Sequence, residues 1–234
     1  MADDAALSAR LKTDLANACR VLDAQGQGDN IFGHISARVP DAPDRFWMKP
    51  ARLGLDEITP DDLLLVDLDG HVLEGRHPRH EEYPIHAEVM RVRPDVQAVI
   101  HTHPPYAIAF AARGAPLRPV SHEGSFFWPP GVPVFDQFTD LVRTRQQGQA
   151  VAAALGAGRA LFLRNHGIVA ADASIAEVVW AALALERACR LQLLAQPTAD
   201  TPILHTPEAE ARQKQAIWHA DRARAVFDYY VRTL

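Results

Sequence analysis

Long apolar runs are missing from this 234-residue chain, and so is any excess of basic residues. No stretch of eighteen apolar residues occurs, so a helical membrane span is not expected. Twenty-four basic residues stand against 29 acidic ones, a net charge of −5, which argues against a nucleic-acid partner, since such proteins carry a basic patch. The opening Met1-Ala2-Asp3-Asp4 lacks the basic and apolar regions of a signal peptide. There are only two cysteines, Cys19 and Cys189, far apart and both in helical stretches. They read as small buried residues of a reduced protein, so a cytoplasmic location is expected. No Gly-rich phosphate loop occurs, nor any linker, repeat or low-complexity stretch between residues 30 and 170. One residue is plentiful: the eleven histidines are the compositional hint of chemistry.

Two of them define the most informative stretch, Val99-Ile100-His101-Thr102-His103-Pro104. Side chains alternate along a strand, so His101 and His103 share one face, and Pro104-Pro105 ends the run. Such a pair can be two ordinary strand-end histidines or half of a metal site. A third histidine in the same setting shifts the balance. His166 follows the apolar Leu161-Phe162-Leu163, again where a strand enters a turn. Three strand-end histidines suit a catalytic metal that keeps a position open for substrate.

Around this centre the chain alternates helices and strands. Leu7, Leu11, Leu15, Ala18, Val21 and Leu22 form a helical stripe, closed by Gly26 and Gly28. Residues 32–40 alternate strictly, with Ile35, Ala37 and Val39 facing a core. His34, Ser36 and Arg38 face the other way, onto a solvated sheet face or a substrate-binding one. A returning strand over 45–49 and a hairpin over 63–73 with an Asp-Gly turn follow. The helix carrying Ile85, Val89 and Val92 ends at Pro94 and begins at Glu82, which as a bland reading complements the helix dipole. Residues 115–136, rich in Pro and aromatics, are expected to be irregular and to wrap a site or an interface. Ser174-Ile175-Ala176-Glu177 opens a helix running to about Gln196, where Pro197 stops it. A last helix is expected from Thr206 as N-cap and Pro207 at N1, carrying Trp218, Phe227, Tyr229 and Tyr230. The pattern predicts an α/β fold, one domain over 1–234 with a mixed sheet.

Four pieces of this chain, in order, resemble the class II aldolase/adducin family: Gly33-His34-Ile35-Ser36-Ala37-Arg38, Glu82 through His86, His101-Thr102-His103-Pro104, and Arg164-Asn165-His166-Gly167. The resemblance spans about residues 7–196. It implies a three-layer α/β/α sandwich with a largely antiparallel central sheet, and a homotetramer with active sites at subunit interfaces. It implies one divalent metal ion per subunit, Zn or Mn, held by His101, His103 and His166. Glu82 takes the place of the family's catalytic glutamate, and Tyr229 or Tyr230 is a candidate proton donor to a neighbour's site.

Departures from the family pattern speak to the substrate. Where the family's sugar-phosphate aldolases place a phosphate-cradling Asn, this chain has His34. Where they place a Ser-Ser pair before the glutamate, it has His80-Glu81, whose charge would repel a phosphate. The groups left to hold a small-molecule substrate are His34, Ser36, Arg38, His80 and Lys49, which suit a planar carboxylate. The expected function is therefore a metal-dependent carbon–carbon lyase, foremost a decarboxylase of a hydroxylated aromatic (benzene or pyridine) carboxylic acid. An aldolase acting on an unphosphorylated oxo acid or aldehyde is the alternative. A non-catalytic adducin-like module is the third reading, disfavoured because all three histidines are present.

Overall fold

The computed structural model describes residues 2–195 and 202–234. Among these residues eight strands form one sheet: β1 (His34–Val39), β2 (Ala42–Met48), β3 (Leu64–Asp67), β4 (Val72–Glu74), β5 (Ala98–Thr102), β6 (Val134–Phe135), β7 (Ala160–Leu163) and β8 (Gly167–Asp172). Their order is β4-β3-β2-β1-β5-β8-β7-β6. Every neighbouring pair is antiparallel except β6–β7. The sheet is thus mixed, as the pattern predicts, and largely antiparallel, as the resemblance implies. The register places His34 opposite His101 and Ser36 opposite Val99, so the motifs of two distant segments lie side by side at the centre of the sheet.

Alternation along the strands sorts residues onto two cores. Ile35 and Ala37 of β1 and Ala98 and Ile100 of β5 face one core, shared with α1 (Ala2–Leu22), α3 (Pro105–Ala112), α4 (His122–Phe127), α6 (Ile175–Leu194) and α8 (Ala220–Arg232). The opposite face carries Val99, Val169 and Phe46 and is covered by α2 (Tyr83–Val92) and α5 (Arg145–Leu155). Helices on both faces make a three-layer α/β/α sandwich. α2 buries Ile85 and Val89 against the sheet, and Pro84 suits its first turn, where an N–H has no helical acceptor in any case.

Three expectations need correction. The segment 115–136 is not wholly irregular. It holds α4, capped by the Ser121 hydroxyl on the Gly124 N–H. Phe126 and Phe127 are buried in their own chain's core, with Phe126 stacked on Trp218 at 4.1 Å and Trp218 against Trp180 at 3.9 Å. These aromatics therefore cover the domain itself, and their apolarity is no argument for a subunit interface. The expected last helix is two, α7 (Glu208–Gln215) and α8, parted at residues 216–219, where the His219 side chain caps the second. Pro207, not Thr206, stands at the N-cap of α7. The expected stop at Pro197 lies outside the described residues. Among those described, no helix is long and apolar enough to cross a membrane.

Candidate metal centre

The four groups that matter come from four places in the fold. His101 sits in β5 and His103 just beyond its end, both on the α2 side of the sheet. His166 occupies the turn between β7 and β8. That turn depends on two residues: Asn165 adopts φ 57°, a left-handed conformation that Asn tolerates, and a side chain at Gly167 would collide with the Thr102 carbonyl and the His103 ring. Glu82 stands at the N-cap of α2, with no capping bond from its side chain. One ligand atom from each of Glu82, His101, His103 and His166 lies within 4.8 Å of the others.

The hydrogen bonds outside this cluster orient the atoms within it. His101 Nδ1 meets the Ile168 carbonyl at 2.9 Å, and His103 Nδ1 meets an Asp29 carboxylate oxygen at 3.1 Å. Both acceptors hold the ring proton on Nδ1, which leaves the Nε2 lone pairs facing inward, 3.1 Å apart. His166 Nε2 is buried and has no hydrogen-bond partner among the described residues. Two inward lone pairs and an orphaned third nitrogen form a donor set that fits a divalent cation, for which neutral imidazole is a common ligand.

Burial is the main cause that lowers the pKa of His103 and His166, His166 to about 4, with His101 adding to it. Both are therefore neutral at neutral pH, the state a metal ligand requires. For Glu82 the influences oppose. Burial pushes its carboxyl up, but the imidazoles of His101 and His166 that face it and the Val142 N–H outweigh burial and bring the pKa to about 2. Glu82 Oε1 accepts the Val142 N–H at 2.8 Å. Its Oε2 lies 3.5 Å from His101 Nε2, 3.8 Å from His166 Nε2 and 4.0 Å from His34 Nε2. One oxygen is anchored and the other is aimed at the imidazoles.

The expected substrate-binding residues divide. His34 and His80 stand at the cluster, their ring centroids 4.4 Å apart and His34 5.0 Å from His101. Ser36 and Arg38 do not offer themselves to a substrate. The polar side of β1 is neither solvated nor open, because α2 covers it. Ser36 is fully buried with its hydroxyl against His86 Nδ1. Arg38 is also buried, and its guanidinium donates to the carbonyls of Pro43, Met90, Arg93 and Val96. Those bonds clamp the end of α2 to the sheet. Lys49 is completely buried, with Nζ on the Ile31 and Pro50 carbonyls and 3.3 Å from His80 Nε2. Glu81 is paired with Arg143 at 2.8 Å. Tyr229 is exposed on α8, and Tyr230 lines a separate depression with Tyr106, Glu186 and Arg190. Neither is brought to the histidine cluster within the chain.

Sequence reasoning gave no role to Asp29, Val142 or His86. Asp29 lies 74 positions from His103 and Val142 lies 60 from Glu82, and neither belongs to a recognisable motif. His86 did carry a signal: four residues after Glu82 it lies on the same face of α2.

Three histidines and one glutamate gathered at the sheet end of a three-layer sandwich make a candidate metal centre, and the comparisons give the family. The chain belongs to the class II aldolase/adducin family: the model of the Class II Aldolase and Adducin N-terminal domain matches residues 13–193. It is 36% identical over 191 residues to a 3,4-dihydroxyphthalate decarboxylase of Arthrobacter keyseri, covering 76% of each chain. It is 37% identical over 169 residues to the decarboxylase NovR of Streptomyces niveus, covering 71% of this chain but only 62% of NovR's length. Among solved structures, the L-fuculose 1-phosphate aldolase from Glaciozyma antarctica PI12 superposes with a TM-score of 0.86 at 26% identity, covering 100% of this chain and 91% of that one. Decarboxylases and aldolases alike are carbon–carbon lyases.

Proposed function

We propose that the chain is a divalent-metal-dependent decarboxylase of a hydroxylated aromatic carboxylic acid, of the benzene or pyridine series. The observation that carries this reading is the convergence of three imidazole nitrogens and the anchored Glu82 carboxylate. The similarity to a 3,4-dihydroxyphthalate decarboxylase supports the substrate class. His101, His103 and His166 would hold one ion per subunit, zinc or manganese, both of which imidazole suits. Such an ion would supply an electron sink for the negative charge that develops as carbon dioxide leaves, worth several kcal/mol of stabilisation.

The remaining work falls to the chain's own side chains. Glu82 enters the reaction as a carboxylate, since its pKa is brought to about 2, and so acts first as a base. Its Oε2 takes the proton of the hydroxyl ortho to the departing carboxylate. The ring–carboxylate bond then breaks, and the electron pair left on the ring carbon takes that proton back from Glu82. His34 and His80 hold a second carboxylate of the substrate. His34, His101 and Glu82 are themselves buried, which strengthens the contacts they make.

We extend the proposal to a homotetramer in the cytoplasm, the assembly on the ground of family resemblance and the location because Cys19 and Cys189 are free, buried thiols. Tyr229 or Tyr230 would then serve a neighbour's site. One observation favours a second reading, aldol cleavage of an unphosphorylated substrate: the fold is superposable on a sugar-phosphate aldolase. Incubation with a panel of hydroxylated benzene and pyridine dicarboxylates, alongside unphosphorylated aldol adducts, separates the two. Carbon dioxide release from an aromatic acid supports the proposal. Cleavage of an adduct with no carbon dioxide from any acid replaces it with the aldolase reading.

A further inference from the structure

Beneath the histidine cluster lies a polar chain whose inner members, Ser36 and His86, the reaction above does not use. Ser36 and His86 are fully buried and His34 almost so. Ser36 Oγ is 2.6 Å from His86 Nδ1, and His86 Nε2 is 2.6 Å from His34 Nδ1. His34 Nε2 ends the chain at the site, 4.0 Å from Glu82 Oε2. Both rings are buried, their partners are a hydroxyl and another imidazole, and the Glu82 carboxylate stands no closer than 4.0 Å, so each is neutral and carries one proton. A neutral imidazole has one donor and one acceptor nitrogen, so the links cannot be set independently. All protons run toward the site, or all run away from it.

The away order places a proton on His34 Nδ1 and another on His86 Nδ1. It strands the Ser36 hydroxyl proton, which has no hydrogen-bond partner but His86 among the described residues. In the toward order the Ser36 hydroxyl donates to His86 Nδ1, and His86 Nε2–H donates to His34 Nδ1. His34 Nε2–H then points at the site, and no proton within the buried chain lacks an acceptor.

We infer that Ser36 and His86 are positioning residues that fix His34 in its Nε2–H tautomer, so that it offers the substrate a donor and selects a carboxylate there. The choice of a carboxylate rests on the function proposed above, whereas the tautomer does not. His86 touches no substrate in this account. It links His34 to the same helix that presents Glu82.

Nitrogen-15 NMR of the zinc-loaded full-length protein, labelled at histidine, tests the tautomer without any turnover. The His34 signals are those lost in His34→Gln. Wild type should show the proton on Nε2, and Ser36→Ala should move it to Nδ1. A proton on Nδ1 in wild type, or no change in Ser36→Ala, overturns the inference. Calorimetric binding of phthalate, an unhydroxylated dicarboxylate, tests the consequence. Ser36→Ala should weaken it about tenfold, Ser36→Thr should restore it, and Ser36→Ala in a His34→Gln background should cost nothing further. Equal losses in both backgrounds would mean that Ser36 acts only on packing and would overturn the link to His34. If wild type shows the Nε2 proton but binds no phthalate, the carboxylate-site reading fails and the relay stands.

Discussion

The backbone N–H of Val142 holds Glu82 Oε1 at 2.8 Å across 60 positions of the chain. Because that oxygen is occupied, the other is the one that faces His101 and His166. A glutamine at this position keeps an oxygen for Val142 but cannot take a proton. Glu82→Gln is therefore expected to retain metal and bind substrate while losing about 10²–10⁴-fold in turnover, the usual worth of general acid–base catalysis. Steady-state kinetics alongside elemental analysis of the same preparation checks both halves. A variant with wild-type turnover would remove Glu82 from the chemistry.

The Asp29 carboxylate fixes the His103 ring from outside the cluster. Asp29→Ala should weaken metal affinity about 10–100-fold, the typical cost of losing such an orienting partner. His103→Ala, which removes the ligand itself, should leave a folded protein nearly free of metal. Competition with a chromogenic chelator reads both. Full metal occupancy in His103→Ala would make the ligand assignment wrong.

Much of this centre was legible in the sequence, and the reasons it was legible also explain what was not. His101 and His103 declare themselves because strand periodicity puts both on one face, and the apolar run before each motif marks a strand end. The side of β1 bearing His34, Ser36 and Arg38 was also readable. Whether that side meets water, substrate or a helix depends on where α2 lands, a tertiary fact that alternation does not encode. Arg38 shows the consequence: a cation in the right motif turns out to bind backbone carbonyls. Likewise the Phe126–Phe127 pair is apolar in sequence whether it meets Trp218 or another subunit, and only the packing of α4 on α6 and α7 decides it.

Arg38 gives a stability prediction opposite to that of a substrate-binding residue. Arg38→Met removes the donors to four carbonyls around the end of α2, and is expected to cost about 3 kcal/mol, since bonds from a charged donor are the stronger ones. KM and metal content should stay near wild type. Urea denaturation and kinetics distinguish the outcomes, because a residue that gripped substrate would raise KM and leave the midpoint in place.

His86 predicts how stability depends on pH. Burial, followed by the neighbouring imidazoles of His101 and His80, lowers its pKa from 6.5 to about 3 in the folded chain. Between those values the unfolded chain binds a proton that the folded one refuses. Its contribution is therefore intact above about pH 6.5 and is lost as pH falls toward 3, at roughly 1.4 kcal/mol for each pH step of one between those values. His86→Gln should flatten this acid limb in urea melts taken at successive pH values. An unchanged slope would show that His86 does not titrate as described.

The central claim joins a metal held by His101, His103 and His166 to decarboxylation, and one measurement addresses it most directly. Carbon dioxide release from 3,4-dihydroxyphthalate is followed for the protein as purified, after removal of metal by a chelator, and after addition of zinc or manganese. The account predicts release by the purified protein, none after stripping, and recovery with about one equivalent of ion per subunit. Undiminished release from the stripped protein would contradict it.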